Sequence, residues 1–181
     1  HTRSFHVTGV QTCALPIFNQ KVKFRESFRP FAPAVLEERA GEYFDLTAES
    51  PYMLLVADVA KSQRLARPAD ESAGFARLKH ARSTLPAVTH VDGSARVQTV
   101  GRERHPFFWR LLRQFEQRTG CGVLLNTSFN VRGEPVVCTP DDAYRCFVNT
   151  PIDWLAIGPF LLSRERQPVG TPPPTFDPIP D

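Results

Sequence analysis

The residues best suited to chemistry lie in a polar loop, NTSFNVRGEP, that follows a short hydrophobic run ending at Leu125. Hydroxyl and amide side chains of this kind hydrogen-bond a planar amide or phosphate oxygens, and ligands of open α/β sheets bind at the carboxyl ends of strands. An Asx or ST turn explains this segment equally well when it is considered alone. The candidate ligand residues of the loop are Asn126, Thr127, Ser128, Asn130 and Arg132.

A second set of candidate residues is cationic. Lys23 and Arg25 form a KxR pattern that Arg29 follows, and Arg96 lies in a later β-rich segment. Lysine supplies a mobile point charge and arginine a planar fork, a combination that suits a polyphosphate or an acyl phosphate. A solvated basic strand face is the alternative for the KxR pattern.

Composition and charge exclude several classes of protein. The chain has 181 residues, 41% of them hydrophobic, and a formal net charge of +3, as is typical of one soluble globular domain. A strongly basic domain would be expected for nucleic-acid binding, so we expect no nucleic-acid partner. The longest apolar run, Met53–Ala57, is far shorter than the roughly 20 residues that cross a bilayer, so we expect no membrane association.

Residues 1–17, HTRSFHVTGVQTCALPI, differ in pattern from the rest of the chain. Their back-translation resembles a sequencing-library index primer, and polar residues interrupt any signal-peptide core. We therefore interpret 1–17 as a non-native segment joined to a protein whose N-terminal part is missing.

The cysteines and histidines beyond residue 17 show no spacing that is typical of a disulfide framework or a metal site. We therefore expect free thiols, a cytoplasmic protein and no metal held by these side chains. They are Cys121, Cys138, Cys146, His80, His90 and His105.

Periodicity predicts the elements of the first half of the chain. Lys21–Phe28 alternates apolar and charged residues and predicts a strand with Lys23 and Arg25 on one face. Ala34–Phe44 has helix-forming composition, Tyr52–Val59 predicts a buried strand, and Ala60–Thr84 an exposed excursion. Pro86–Val91 and Ala95–Val100 flank Asp-Gly, a strong hairpin signal.

The second half alternates helices and strands. Pro106–Thr119 predicts a helix with Gly120 as its stop and with a stripe of core residues, namely Phe107, Leu111, Leu112 and Phe115. Gly122–Asn126 predicts a strand. Thr139 predicts the N-cap of a helix to Val148, and Asp153–Gly158 and Phe160–Ser163 predict further strands. This order predicts a single α/β or α+β domain with a mixed sheet.

The two candidate sets together resemble a known signature. KxR at Lys23 and Arg25, paired with SxN at Ser128 and Asn130, resembles the tetrad of YrdC-like domains. The blocks KVKFRESFRPFAPAVL, SPYMLLV, PAVTHVDGSARVQTV and LLNTSFNVRGEPVVCTPDDA are similar to the C-terminal domain of the O-carbamoyltransferase family. That family carbamoylates nodulation factors, cephamycin-type cephalosporins and the aminoglycoside tobramycin.

The resemblance implies a YrdC-like fold over residues 18–166, an open twisted mixed sheet with flanking helices, followed by a proline-rich tail over 167–181. It implies that carbamoyl phosphate and ATP, with Mg²⁺ carried by ATP, form carbamoyl adenylate and release pyrophosphate and phosphate. An iron-binding N-terminal domain, which is missing here, would transfer the carbamoyl group to a hydroxyl of a natural product.

The resemblance also implies roles for the cations. Lys23, Arg25 and Arg29 would hold phosphate groups of carbamoyl phosphate and ATP. Arg96 would neutralise charge on the phosphate or the adenylate and so act in catalysis.

The loop residues receive roles in the same way. Asn126 and Ser128 would bind the carbamoyl adenylate and count as catalytic, with Thr127 between them in the substrate loop. Asn130 and Arg132 would complete the nucleotide end of the site.

Two departures and two alternatives accompany this interpretation. Ser27 stands where the family usually has proline, and a glycine-rich segment that precedes this point in the family is missing, so we expect weak nucleotide binding and no complete carbamoyl transfer by this chain alone. A threonylcarbamoyl-adenylate synthase-like enzyme and a non-catalytic nucleotide- or RNA-binding module are the alternatives. The sequence does not name the acceptor.

Overall fold

The computed structural model describes residues 14–66 and 81–168, and the chain forms two compact units. We call residues 28–127, with 14 and 15, the sheet unit. We call residues 16–27 and 128–168 the turn unit. Residues 1–13, most of the predicted non-native segment, lie outside the described residues, as do 67–80 of the predicted excursion and 169–181 of the predicted tail.

The sheet unit contains four strands that form one sheet, β1 (Ala32–Leu36), β2 (Leu55–Asp58), β3 (Ser94–Val100) and β4 (Val123–Asn126). Their order in the sheet is β2-β3-β1-β4. Central strand β1 pairs parallel with β3 and antiparallel with β4, and edge strand β2 pairs antiparallel with β3. The predicted α+β class with a mixed sheet is confirmed.

Helices of the sheet unit are a four-residue α2 (Ala40–Tyr43) and the longer α3 (Pro106–Thr119). Helix α3 packs Leu112 against a core of β1, β3 and β4, and it ends at Gly120, whose φ of 75° favours glycine. The predicted bounds of α3 are confirmed.

The predicted apolar stripe of α3 is partly wrong. Phe107 is 78% exposed and Leu111 is 51% exposed. The predicted Leu112 and Phe115 do lie on the core side of the helix. Phe108, which the prediction left out, joins them there, because residues three or four apart share a helix face.

The turn unit contains most of helix α1 (Ala14–Lys21), from residue 16 onward, together with helix α4 (Pro140–Val148). It also contains an antiparallel pair of strands, β5 (Trp154–Ile157) and β6 (Phe160–Ser163). Helix α4 and the two strands match their predicted positions.

Helix α4 begins with a capping box. Thr139 Oγ1 accepts the backbone N–H of Asp142 at 3.1 Å, and the Asp142 carboxylate accepts the backbone N–H of Thr139 at 3.1 Å. Thr139→Ala removes the first of these bonds, so we expect a loss of about 1 kcal/mol in the free energy of unfolding, measured by urea titration. Thr139→Ser is the matched control and should remain close to wild type; equal stability of the alanine variant would contradict the assignment.

Four expectations for the first half of the chain are wrong or only partly right. Lys21–Phe28 is not a strand, because α1 ends at Lys21 and the backbone N–H groups of Val22 and Lys23 both bond to the Phe18 carbonyl. Ala34–Phe44 is not one helix, because its first residues belong to β1, which is buried along its whole length.

The third error concerns the hairpin. The Asp92-Gly93-Ser94 turn is present, and Asp92 Oδ1 accepts the Ser94 backbone N–H at 2.9 Å. However, residues 86–91 form no strand, and β3 pairs with β2 and β1 instead. In addition, the strand predicted over Tyr52–Val59 is short and lies at an exposed edge, since only Ala57 of β2 is buried.

No helix among the described residues is both long and apolar enough to cross a membrane.

Candidate functional site

Lys23 and the Ser128–Asn130 turn meet within the turn unit, although they lie far apart in sequence. The Lys23 ammonium donates to the Ser128 carbonyl, to the Asn130 carbonyl at 3.0 Å and to Asn130 Oδ1 at 3.0 Å. The Ser128 hydroxyl oxygen lies 3.4 Å from the same nitrogen. The KxR and SxN motifs, which the resemblance pairs, are therefore in contact through Lys23, Ser128 and Asn130. Because a lysine ammonium has three N–H donors, these bonds make Lys23 a positioning group for the turn.

The loop that carries Lys23 is held by Asn19, which is fully buried. Asn19 Oδ1 accepts the Arg25 Nε–H at 2.6 Å, and Asn19 Nδ2 donates to the Ser27 carbonyl at 3.3 Å. The second bond satisfies one backbone carbonyl of the segment that was predicted as a strand, and the first holds the Arg25 side chain against a residue of α1.

A hydrogen bond from the Asn130 side chain to a backbone carbonyl determines which atoms of the Ser128–Asn130 turn donate and which accept. Asn130 Nδ2 donates to the Glu134 carbonyl at 2.9 Å, so Asn130 Oδ1 is an acceptor. The Ser128 hydroxyl donates its proton to that oxygen at 2.7 Å. With its proton used there, the exposed Ser128 Oγ can only accept a further hydrogen bond, and a carbamoyl NH₂ group is such a donor.

Burial affects the charged groups of the turn unit. Lys23 is 7% exposed, and burial, followed by the nearby Arg25 guanidinium, lowers its pKa below the ordinary 10.5. The buried Cys146 has its pKa raised by burial, so its thiol stays protonated near neutral pH. The Lys23 ammonium is therefore a largely buried charged group beside the Ser128–Asn130 turn.

The sheet unit places a second set of candidate residues on one face of its sheet. Asn126 ends β4 opposite Ala32 of β1, and Gln98 of β3 lies opposite Ala34. The Asn126 Nδ2 donates to Gln98 Oε1. Exposed Arg96 lies two residues before Gln98, and therefore on the same face.

The remaining predicted site residues are placed as follows. Arg29 is exposed and Thr127 is half-buried, both in the sheet unit. Arg132 is exposed in the turn unit, just before Gly133. Their predicted binding roles stay predictions.

The chain matches a known protein family. The model of the family described as "Carbamoyltransferase C-terminus" matches residues 2–164. The chain belongs to this family. The match includes both the KxR and the SxN motif.

Curated relatives of this carbamoyltransferase C-terminal domain match most of the chain. An uncharacterized protein of Synechocystis sp. is 56% identical over 154 residues, which is 84% of this chain and 25% of the relative. Nodulation protein NolO of Bradyrhizobium diazoefficiens is 41% identical over 149 residues, or 81% of this chain and 24% of that protein.

A third relative has a named activity. The 3'-hydroxymethylcephem-O-carbamoyltransferase of Amycolatopsis lactamdurans is 42% identical over 114 residues, or 63% of this chain and 18% of that protein. The chain thus spans about a quarter of the length of the first two relatives, 25% and 24%.

Sequence reasoning missed two residues of this carbamoyltransferase domain. Asn19 carries no motif, and its role is visible only from its contacts with Arg25 and Ser27. Gln98 offered one available signal: it follows Arg96 at a spacing of two, which in a strand places both side chains on one face.

Proposed function

We propose that this domain forms carbamoyl adenylate from carbamoyl phosphate and ATP, as the activating part of an O-carbamoyltransferase that modifies a hydroxyl group. The observation that carries the proposal is the contact of Lys23 with Ser128 and Asn130. It joins a buried positive charge to a hydroxyl oxygen that is available as an acceptor.

The two parts of that cluster suit the two ends of carbamoyl phosphate. The phosphate is anionic and is stabilised by fixed cations, for which Lys23 and Arg25 supply charge. The carbamoyl NH₂ is a donor, and Ser128 Oγ offers it an acceptor because the hydroxyl proton is engaged by Asn130.

The proposed reaction needs positioning and charge neutralisation more than a nucleophilic side chain. Water cleaves carbamoyl phosphate to carbamate and phosphate. A carbamate oxygen then bonds to the α-phosphorus of ATP, and the bond from that phosphorus to pyrophosphate breaks. Arg96 would neutralise the negative charge that develops on the oxygens around the α-phosphorus, and Mg²⁺, carried in with ATP, would offset the charge of the phosphates.

The acceptor end of the reaction is proposed from the relatives. One of them is named for O-carbamoylation of a hydroxymethylcephem and another for nodulation, which suggests a natural-product hydroxyl as acceptor. Since the chain spans 25% of its Synechocystis relative, we assign the transfer step to a further transferase domain of the same polypeptide.

The test is exchange of labelled pyrophosphate into ATP at millimolar ATP. We expect exchange that depends on carbamoyl phosphate, and Ser128→Ala should reduce it at least tenfold without changing the urea midpoint, because Lys23 keeps its bonds to both backbone carbonyls.

Ser163→Ala is the matched control, since it also removes a serine hydroxyl of the turn unit. Exchange driven by threonine and bicarbonate instead would favour a threonylcarbamoyl-adenylate synthase. Salt-sensitive RNA binding with no exchange would favour a binding module. Either result would overturn the proposal.

A further inference from the structure

We propose that Gln98 is a positioning residue that sets the orientation of the Asn126 amide, so that Asn126 presents its carbonyl oxygen to the NH₂ group of a carbamoyl donor. This inference rests on the proposed function, and it concerns the sheet unit alone.

The orientation of Gln98 is fixed by a group that can only accept. Gln98 Nε2 donates to the backbone carbonyl of Pro51 at 3.0 Å. A flipped Gln98 amide would put two oxygens against each other, so the nitrogen must face Pro51. The other end of the amide, Oε1, therefore faces away from Pro51 as an acceptor.

The orientation of Asn126 follows from that of Gln98. Gln98 Oε1 accepts the Asn126 Nδ2–H, so the Asn126 amide nitrogen is directed toward β3. The two atoms of an amide end point in different directions, and Oδ1 is therefore the atom that Asn126 offers elsewhere. The Pro51 carbonyl thus orients Gln98, and Gln98 in turn orients Asn126 so that Oδ1 is the atom left for a ligand.

The sheet register makes this contact geometrically reasonable. Gln98 and Asn126 lie on strands that flank β1, opposite Ala34 and Ala32 respectively. Side chains at these positions share one face of the sheet. Because both intervening residues are alanines, their methyl groups leave room for the longer amides to meet above β1.

A carbonyl oxygen such as Asn126 Oδ1 distinguishes between acyl donors. It accepts from an amide NH₂ but cannot hydrogen-bond the methyl group of an acetyl donor, and it repels a carboxylate oxygen. The substrate class that this arrangement favours is a donor with a primary carbamoyl NH₂. Arg96, on the same face, supplies the positive charge that a phosphate-bearing donor requires.

The first experiment measures kinetics of the exchange reaction. Gln98→Met, of similar size, should raise KM for carbamoyl phosphate about tenfold, the effect of one misaligned hydrogen bond, and leave KM for ATP within about twofold. In an Asn126→Ala background the same substitution should add less than about twofold, because Gln98 acts through Asn126. The control is Gln114→Met, on the exposed side of α3.

The second experiment needs no activity. In nuclear magnetic resonance spectra of the wild-type chain, one Asn126 Nδ2 proton should exchange with solvent about tenfold more slowly than those of the exposed Gln20, and Gln98→Met should remove this protection. If the proton is unprotected, the positioning role is overturned whatever the enzyme does.

The outcomes separate the two proposals. The Asn126 proton could be protected while the effects of Gln98→Met and Asn126→Ala on KM for carbamoyl phosphate add. That result overturns the role of Gln98 in donor selectivity and leaves the proposed function standing. If the wild-type chain does not exchange pyrophosphate into ATP, the proposed function is overturned, and with it the donor selectivity assigned to Asn126. The resonance measurement still decides whether Gln98 orients the Asn126 amide.

Discussion

Lys23→Met should lower carbamoyl-phosphate-dependent exchange by about a thousandfold, because it removes both a fixed positive charge and the group that holds the Ser128–Asn130 turn. The lysine ammonium bonds to the carbonyls of Ser128 and Asn130 and to Asn130 Oδ1. Methionine keeps an unbranched, flexible side chain of nearly the same length but leaves these acceptors without their donor. We expect the free energy of unfolding to fall by about 2–3 kcal/mol, measured by urea titration.

The matched control is Lys21→Met, the same chemical change at an exposed lysine two residues earlier. It should alter exchange less than about twofold and stability by less than about 0.5 kcal/mol. Both variants should be assayed without urea and well below their thermal unfolding midpoints. A loss of activity then reflects a change at the site and not a fraction of unfolded protein. Comparable activity in the two variants would remove Lys23 from the proposed site.

The effect of Lys23→Met on the free energy of unfolding should depend on pH. The pKa of Lys23 is below its ordinary 10.5 in the folded chain, mainly through burial and then through Arg25. Between the folded value and 10.5 the unfolded chain therefore binds more protons, and the Lys23 contribution to the free energy of unfolding increases as pH rises. The stability difference between wild type and Lys23→Met should widen as pH rises from 7 toward about 10, and a constant difference would contradict the assigned shift.

The meeting of Lys23 with Ser128 and Asn130 was predictable from the sequence because two short motifs together resembled a known tetrad. The local structure around Lys23 was not. Alternating residues in Lys21–Phe28 predicted a strand, but a strand needs a partner for its backbone groups. In the folded chain those groups are used by the end of α1 and by the buried Asn19.

Helices with strong local signals were predicted well. Thr139, with a proline and two acids after it, marks the start of α4, and Gly120 marks the end of α3, because these signals act within a few residues. β1 was misassigned since its helix-compatible composition gives no sign that both its faces are buried. The Gln98–Asn126 bond depends on the register of strands far apart in sequence, which no local pattern specifies.

Arg96→Ala should lower the rate of exchange by about a hundredfold to a thousandfold, with little change in stability. Arg96 is exposed on β3, on the face that also carries Gln98 and Asn126. In the proposed reaction negative charge develops on the oxygens around the α-phosphorus, and removing one donor aimed at such charge costs roughly 10²–10³ in kcat. The measurement is kcat and KM for ATP and carbamoyl phosphate, together with a urea titration.

Two further variants make this result specific. Arg96→Lys keeps the charge but loses the planar fork, so its rate should lie between those of wild type and Arg96→Ala. Arg110→Ala removes an exposed arginine from α3 and should leave the rate unchanged, which controls for the net charge of the domain. A fall confined to KM for ATP, with kcat retained, would show that Arg96 binds ground-state substrate and does not stabilise the transition state. A rate loss shared equally by Arg96→Ala and Arg110→Ala would reduce the effect to general electrostatics, and the proposed adenylation chemistry would then lack its charge-neutralising group on the sheet.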